Sequence, residues 1–127
     1  MAKNKNNNFN SSNKLPPQDK EAEKSLIGSL MLSEKAIYKV IDFLTPDDFY
    51  RDSNRKIYQA MVDLFEKQEA IDVLSVTTRL KEMKEIENIG GSTYLSECIN
   101  SVPTASHVLN YAKIIQKKRI LRNLIDA

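Results

Sequence analysis

Apolar side chains recur along this chain mostly at intervals of three and four, the period of helices with one buried face. Ala22, Leu26 and Leu30 share one face, with Ile27 and Met31 beside it. Asp19 stands where an N-cap belongs, and Glu21 and Glu23 follow where acids suit the helix dipole. Gly28 interrupts this helix with a side chain small enough for a second helix to approach closely. Ile37, Val40, Ile41 and Leu44 predict a second helix capped by Ser33. Thr45-Pro46-Asp47-Asp48 leaves room for a single turn before Phe49 and Tyr50, whose rings are expected to plug the core edge. Ile57, Met61, Leu64 and Phe65 predict a helix capped by Ser53.

Further on, local preference and periodicity disagree. Val73 to Thr78 holds four β-branched residues, a composition that favours a strand. A lone short strand would have no partner, so a helix capped by Asp72 and running through Leu74, Leu80 and Met83 is expected. Gly90-Gly91 breaks the chain; Ser92 starts a short helix with Tyr94, Leu95, Cys98 and Ile99, ended by Pro103.

The last predicted helix, from about Ala105 to the end, changes its apolar face. Val108, Tyr111, Ala112 and Ile115 cluster on one side, and Ile120, Leu121, Leu124 and Ile125 on nearly the opposite side. The switch falls at Lys117-Lys118-Arg119. A helix lying on one core keeps one apolar face, so the first half is expected to dock on the body and the second half to leave it for a partner helix. Lys118, Ile120, Leu121, Leu124 and Ile125 are the candidate interface residues.

Charge sharpens this division. Residues 1–14 carry +3, residues 15–104 carry −5 and residues 105–127 carry +4, within a net charge of +2. An acidic body repels a polyanion, so nucleic-acid contact would fall to the two ends. Residues 1–14, mostly Asn, Lys and Ser with Phe9 as their one aromatic, read as a disordered tail. One cysteine, Cys98, excludes an internal disulfide, and no secretory pattern or apolar run of membrane-spanning length occurs. These features suggest a soluble cytoplasmic protein.

The same sequence offers little chemistry. One histidine, His107, and one cysteine cannot build a four-ligand zinc site, and no G-x-x-x-x-G-K-[ST] loop is present to cradle a nucleotide. Asp47, Asp48 and Asp52 share one region, but helix capping accounts for the first two. No catalytic residue, metal ligand or cofactor is expected in this chain.

An ordered series of segments carries a resemblance. It runs Leu15-Pro16-Pro17-Gln18, Glu21-Ala22-Glu23-Lys24-Ser25-Leu26-Ile27-Gly28, Pro46-Asp47-Asp48-Phe49-Tyr50 and Ile57-Tyr58-Gln59-Ala60-Met61. Ile71-Asp72, Gly90-Gly91-Ser92-Thr93-Tyr94-Leu95, Val102-Pro103-Thr104-Ala105 and Tyr111-Ala112-Lys113-Ile114-Ile115 follow. Together they resemble the N-terminal domain of bacterial DnaB-type replicative DNA helicases. The sequence departs from that family at Asn54, where the family often has His, and at Ser106-His107, where it often has Ala-Asn. Both departures read as capping or surface changes.

The resemblance implies an all-α fold: a helical head of about five to six helices over residues 15–104, then the first arm of a hairpin over residues 105–127, cut short at Ala127. It implies a collar on a hexameric ring, built from dimer pairs and contacting DNA primase. ATP, Mg and DNA would belong to the motor domain of a longer parent protein. Two other readings stand beside it: a free-standing module that captures a helicase or primase, and a small DNA-binding protein using the basic tail and the Lys117–Arg122 cluster.

Overall fold

The computed structural model describes residues 15–126. Those residues form five α-helices and no strand: α1 (Lys20–Leu32), α2 (Asp52–Glu66), α3 (Val73–Glu82), α4 (Gly91–Asn100) and α5 (Val108–Asp126). Two short 3-10 turns, Ala36–Lys39 and Pro46–Asp48, lie between α1 and α2. The tail expected over residues 1–14 lies outside the described residues.

Helix α1 is the centre of the head. The carboxylate of Asp19 accepts the Ala22 N–H at 2.9 Å, as its N-cap position predicts. Ala22, Leu26, Ile27, Leu30 and Met31 are all buried. Helices α4 and α5 both pack on α1, and α3 packs on α2. Gly28 is where α4 comes closest: a Cβ there would collide with the carbonyl oxygen of Cys98. The small side chain is therefore a packing requirement. Cys98, Leu95, Ile57, Tyr58 and Met61 complete the middle of the core, each without exposed surface.

Several expected elements shift. Ser33 ends α1 with an extended backbone instead of opening a second helix. The segment after it winds as a 3-10 turn followed by mixed turns. Val40 N–H reaches Ile37 O and Phe43 N–H reaches Val40 O, while Ile41 N–H returns to Ile37 O at 2.9 Å. The tighter winding lines up Ile37, Val40 and Phe43, all of which pack on the core. Helix α2 begins at Asp52 and is not capped by Ser53; its N-cap is Arg51, which makes no side-chain cap bond. Helix α4 begins at Gly91, one residue before Ser92, with Gly90 left-handed at φ 103°. Helix α5 begins at Val108, three residues later than Ala105.

Val73 to Thr78 is helical, as tertiary context demanded, and a local device helps. Asp72 and Ser75 cap each other: Ser75 N–H donates to the Asp72 carboxylate at 2.8 Å, and Asp72 N–H donates to Ser75 Oγ at 3.0 Å. The buried face of α3 is Val76 and Leu80, whereas Leu74 points outward and is 77% exposed. Arg79 then ties α3 to α2, placing Nε at 3.0 Å and Nη2 at 2.8 Å from one oxygen of Asp63.

No helix among the described residues is long and apolar enough to cross a membrane. Gly28→Ala is expected to lower unfolding free energy by about 3 kcal/mol through backbone overpacking. Leu26→Ala should cost a similar ~3 kcal/mol through cavity formation. Phe65→Ala should cost less, because its ring is only partly buried. Urea denaturation followed by circular dichroism ranks the three; unchanged stability in Gly28→Ala would contradict the α1–α4 approach.

Candidate interaction surface

The start of α2 is held from a distance. The chain enters α2 through Tyr50 and Arg51, and leaving a buried backbone N–H there unpaired would be costly. Here the buried carboxylate of Glu23, on α1, accepts the Tyr50 N–H at 2.6 Å and the Arg51 N–H at 3.3 Å. It also accepts Asn54 Nδ2 at 2.9 Å, and the Tyr94 hydroxyl donates to Asn54 Oδ1 at 2.7 Å. Asn54 is fully buried. The expectation that its departure from the family pattern is a capping or surface change is therefore corrected. A side chain with both a donor and an acceptor is needed between Glu23 and Tyr94.

This chain of bonds positions Tyr50, and Tyr50 positions α5. The Arg122 guanidinium lies over the Tyr50 ring, 5.3 Å from its centroid. Its Nη1 donates to Pro17 O at 2.8 Å and its Nη2 to Asp48 O at 2.9 Å. Arg119 donates to Asp47 O, and Gln116 Nε2 donates to Phe43 O at 3.0 Å. Burial draws the Arg122 guanidinium below the ordinary arginine value; Arg119 and Arg55 nearby act the same way, and the Glu23 carboxylate opposes them.

The face of α5 turned to the body is thus continuous. Val108, Ala112 and Ile115 make it apolar in the first half. Gln116, Arg119 and Arg122, spaced by three, prolong it as hydrogen-bond donors to backbone carbonyls. The expectation that the second half of this helix leaves the body is corrected: it stays docked by polar contacts. Arg119 and Arg122 accordingly do not form a free basic cluster with Lys117 and Lys118. The readable signal was the three-residue spacing of Gln116, Arg119 and Arg122, which matches the helix period.

With that face occupied, the opposite one is left to solvent. Ile120 is 58% exposed, Leu124 and Ile125 are each 68% exposed, and Leu121 is 36% exposed. Lys118 is half-buried at the edge. The four apolar residues fall at helix positions one, two, five and six of a single stripe, the pattern of a helix seam.

Other candidate chemistry resolves into structure. Asp48 accepts the Thr45 N–H at 2.9 Å, as a capping residue, and Asp52 pairs with Lys56 at 3.1 Å. No group of three His, Cys, Asp or Glu side chains that could hold a metal occurs among the described residues. His107 is exposed. Burial pushes the Cys98 thiol up to about 11 from its ordinary 9.0.

The fold and this surface define an all-helical domain that presents an apolar helix stripe from a rigidly seated helix. A family model described as the DnaB-like helicase N terminal domain matches residues 15–117. The chain is 45% identical over 112 residues to the replicative DNA helicase DnaC of Bacillus subtilis (strain 168), a match covering 88% of this chain and 25% of that protein. It is 40% identical over 114 residues to the replicative DNA helicase DnaB of Geobacillus stearothermophilus, covering 90% of this chain and 25% of that protein. A crystal structure of the N-terminal domain of DnaB helicase from Mycobacterium tuberculosis superposes with a TM-score of 0.86 at 39% identity, covering 88% of this chain and 78% of that one. The chain belongs to the DnaB-like helicase N-terminal domain family, and it spans about a quarter of the length of these two helicases.

The buried thiol yields a test. The unfolded chain loses the Cys98 proton near its ordinary 9.0 and the folded chain near 11, so the unfolded state binds fewer protons between those values. Stability should fall as pH rises through that window. Tyr58 and Tyr94, both raised chiefly by burial, add to the fall above pH 10. At pH 8, alkylation of Cys98 by iodoacetamide should be roughly hundredfold slower in the folded than in the denatured chain, from thiolate fraction alone.

Proposed function

We propose that this chain is the N-terminal collar and interaction domain of a hexameric replicative DNA helicase, mediating self-association and contact with DNA primase. The observation that carries this reading is the stripe of Ile120, Leu121, Leu124 and Ile125 on a helix whose opposite face is already bonded to its own body. An apolar seam presented in this way suits a second helix, and a second copy of the chain supplies one. Unwinding of duplex DNA, with ATP and Mg, belongs on this proposal to a motor domain of a longer parent acting in the bacterial cytoplasm. The family membership and the names of the two relatives support that assignment.

Placing a charge in a helix seam forfeits burial worth about 1.5–3 kcal/mol per side chain and adds desolvation cost. Leu121→Asp and Ile125→Asp are therefore each expected to weaken self-association about tenfold or more. Helix content and melting should be retained, since neither side chain contributes to the buried core. Sedimentation equilibrium reads the association constant. Unchanged association in both variants would remove the stripe from the interface.

A further inference from the structure

A second surface lies at the far end of α2, away from the stripe. Tyr38, 67% exposed, and Phe65 meet edge to face, with ring centroids 5.5 Å apart. They border a groove of about 720 Å³ with Ile37 and Ile71 at its base. Glu34, Glu66 and Glu69 rim it, against a single cation, Lys35. None of these three carboxylates is paired to a cation among the described residues.

The backbone adds to this negative character. Glu66 closes α2, and the last turn of α2 holds no basic residue. Helix C-termini favour cations, and the one cation there, Lys67 at the C-cap, is not among the residues that line the groove. Gln68, left-handed at φ 60°, turns the chain so that Glu69 N–H returns to Leu64 O at 2.9 Å, which sets Glu69 beside the groove. Exposed aromatic edges, an apolar floor and an unbalanced acidic rim together suit an acid-free, lysine-bearing segment with one aromatic anchor.

We propose that this groove docks residues 1–14 of a second copy of the chain. That segment carries Lys3, Lys5 and Lys14, no acid, and Phe9 as its one aromatic residue. Phe9 supplies the anchor, packing against the exposed side of the Tyr38–Phe65 ring pair, where a further edge-to-face contact is favourable. The lysines supply the cations that the rim lacks. Reach favours a second copy. Leu15 borders the same surface as Asp52 and Ser53, at the start of α2. The groove lies at the other end of that helix, about 20 Å away at 1.5 Å per residue. Phe9 is six residues from Leu15, a distance it spans only at full extension, about 20 Å. Another copy is under no such restraint. This inference does not depend on the α5 stripe.

The test titrates the isotope-labelled full chain with a synthetic peptide of residues 1–14 and follows amide shifts by NMR. Saturable shifts confined to Tyr38, Phe65, Glu66, Glu69 and their neighbours are expected. A Phe9→Ala peptide should bind more weakly. Glu66→Lys combined with Glu69→Lys should weaken binding about tenfold, since it reverses two exposed charges. Leu121→Asp should leave this binding unchanged, which separates it from the helix seam. Absence of saturable shifts, shifts centred elsewhere, or equal binding by the charge-reversed protein with its fold retained would overturn the proposal.

Discussion

One buried carboxylate organises the functional half of this domain. Glu23 projects from the first turn of α1 and accepts the backbone N–H groups of Tyr50 and Arg51, the two residues that lead into α2. Through Asn54 it also reaches the hydroxyl of Tyr94 on α4. Burying an acid is costly, and removing one partner from such a network leaves the remaining groups unsatisfied. The network therefore holds three helices in one mutual arrangement, and it fixes the backbone of Tyr50. That residue carries the ring on which Arg122 rests.

The seat of α5 follows. A helix whose buried face is apolar for its whole length would rest on the core alone. In this chain the core ends near Ile115, and the next body-facing residues donate to carbonyls exposed by the loop between α1 and α2. Such contacts are directional, whereas apolar packing is not. They set the rotation of α5 about its own axis and so determine which way the stripe of Ile120, Leu121, Leu124 and Ile125 faces. On the proposed self-association, that constraint would set the geometry in which copies join.

Much of this architecture was legible in the amino-acid order. The apolar faces of α1 and α2, the close approach at Gly28 and the exposed stripe on α5 follow from periodicity and residue size, and the helical state of Val73–Thr78 follows from the lack of a partner strand. What was not legible rests on contacts between residues far apart in the chain. Glu23 reads locally as a favourable first-turn acid, yet its partners are Tyr50, Arg51 and Asn54. Arg119 and Arg122 read as part of a basic run, yet their partners are the carbonyls of Asp47, Asp48 and Pro17. Ser33 and Ser53 satisfy the local rule for a cap, but Ser33 ends a helix, and α2 begins at Asp52 after Arg51, whose side chain makes no cap bond. Local patterns carry helix faces well and long-range hydrogen bonds poorly.

The most direct test of this account is the Glu23→Gln variant, which keeps the shape of the side chain and removes its charge and one acceptor oxygen. Losing charged hydrogen bonds to buried donors is expected to cost about 2–3 kcal/mol of stability. Native-state hydrogen exchange should show the amides of Tyr50 and Arg51 losing protection first, followed by those of α5 beyond Gln116. If those amides stay protected and stability is unchanged, Glu23 is not the anchor of α2, and the orientation of the α5 stripe must have another source.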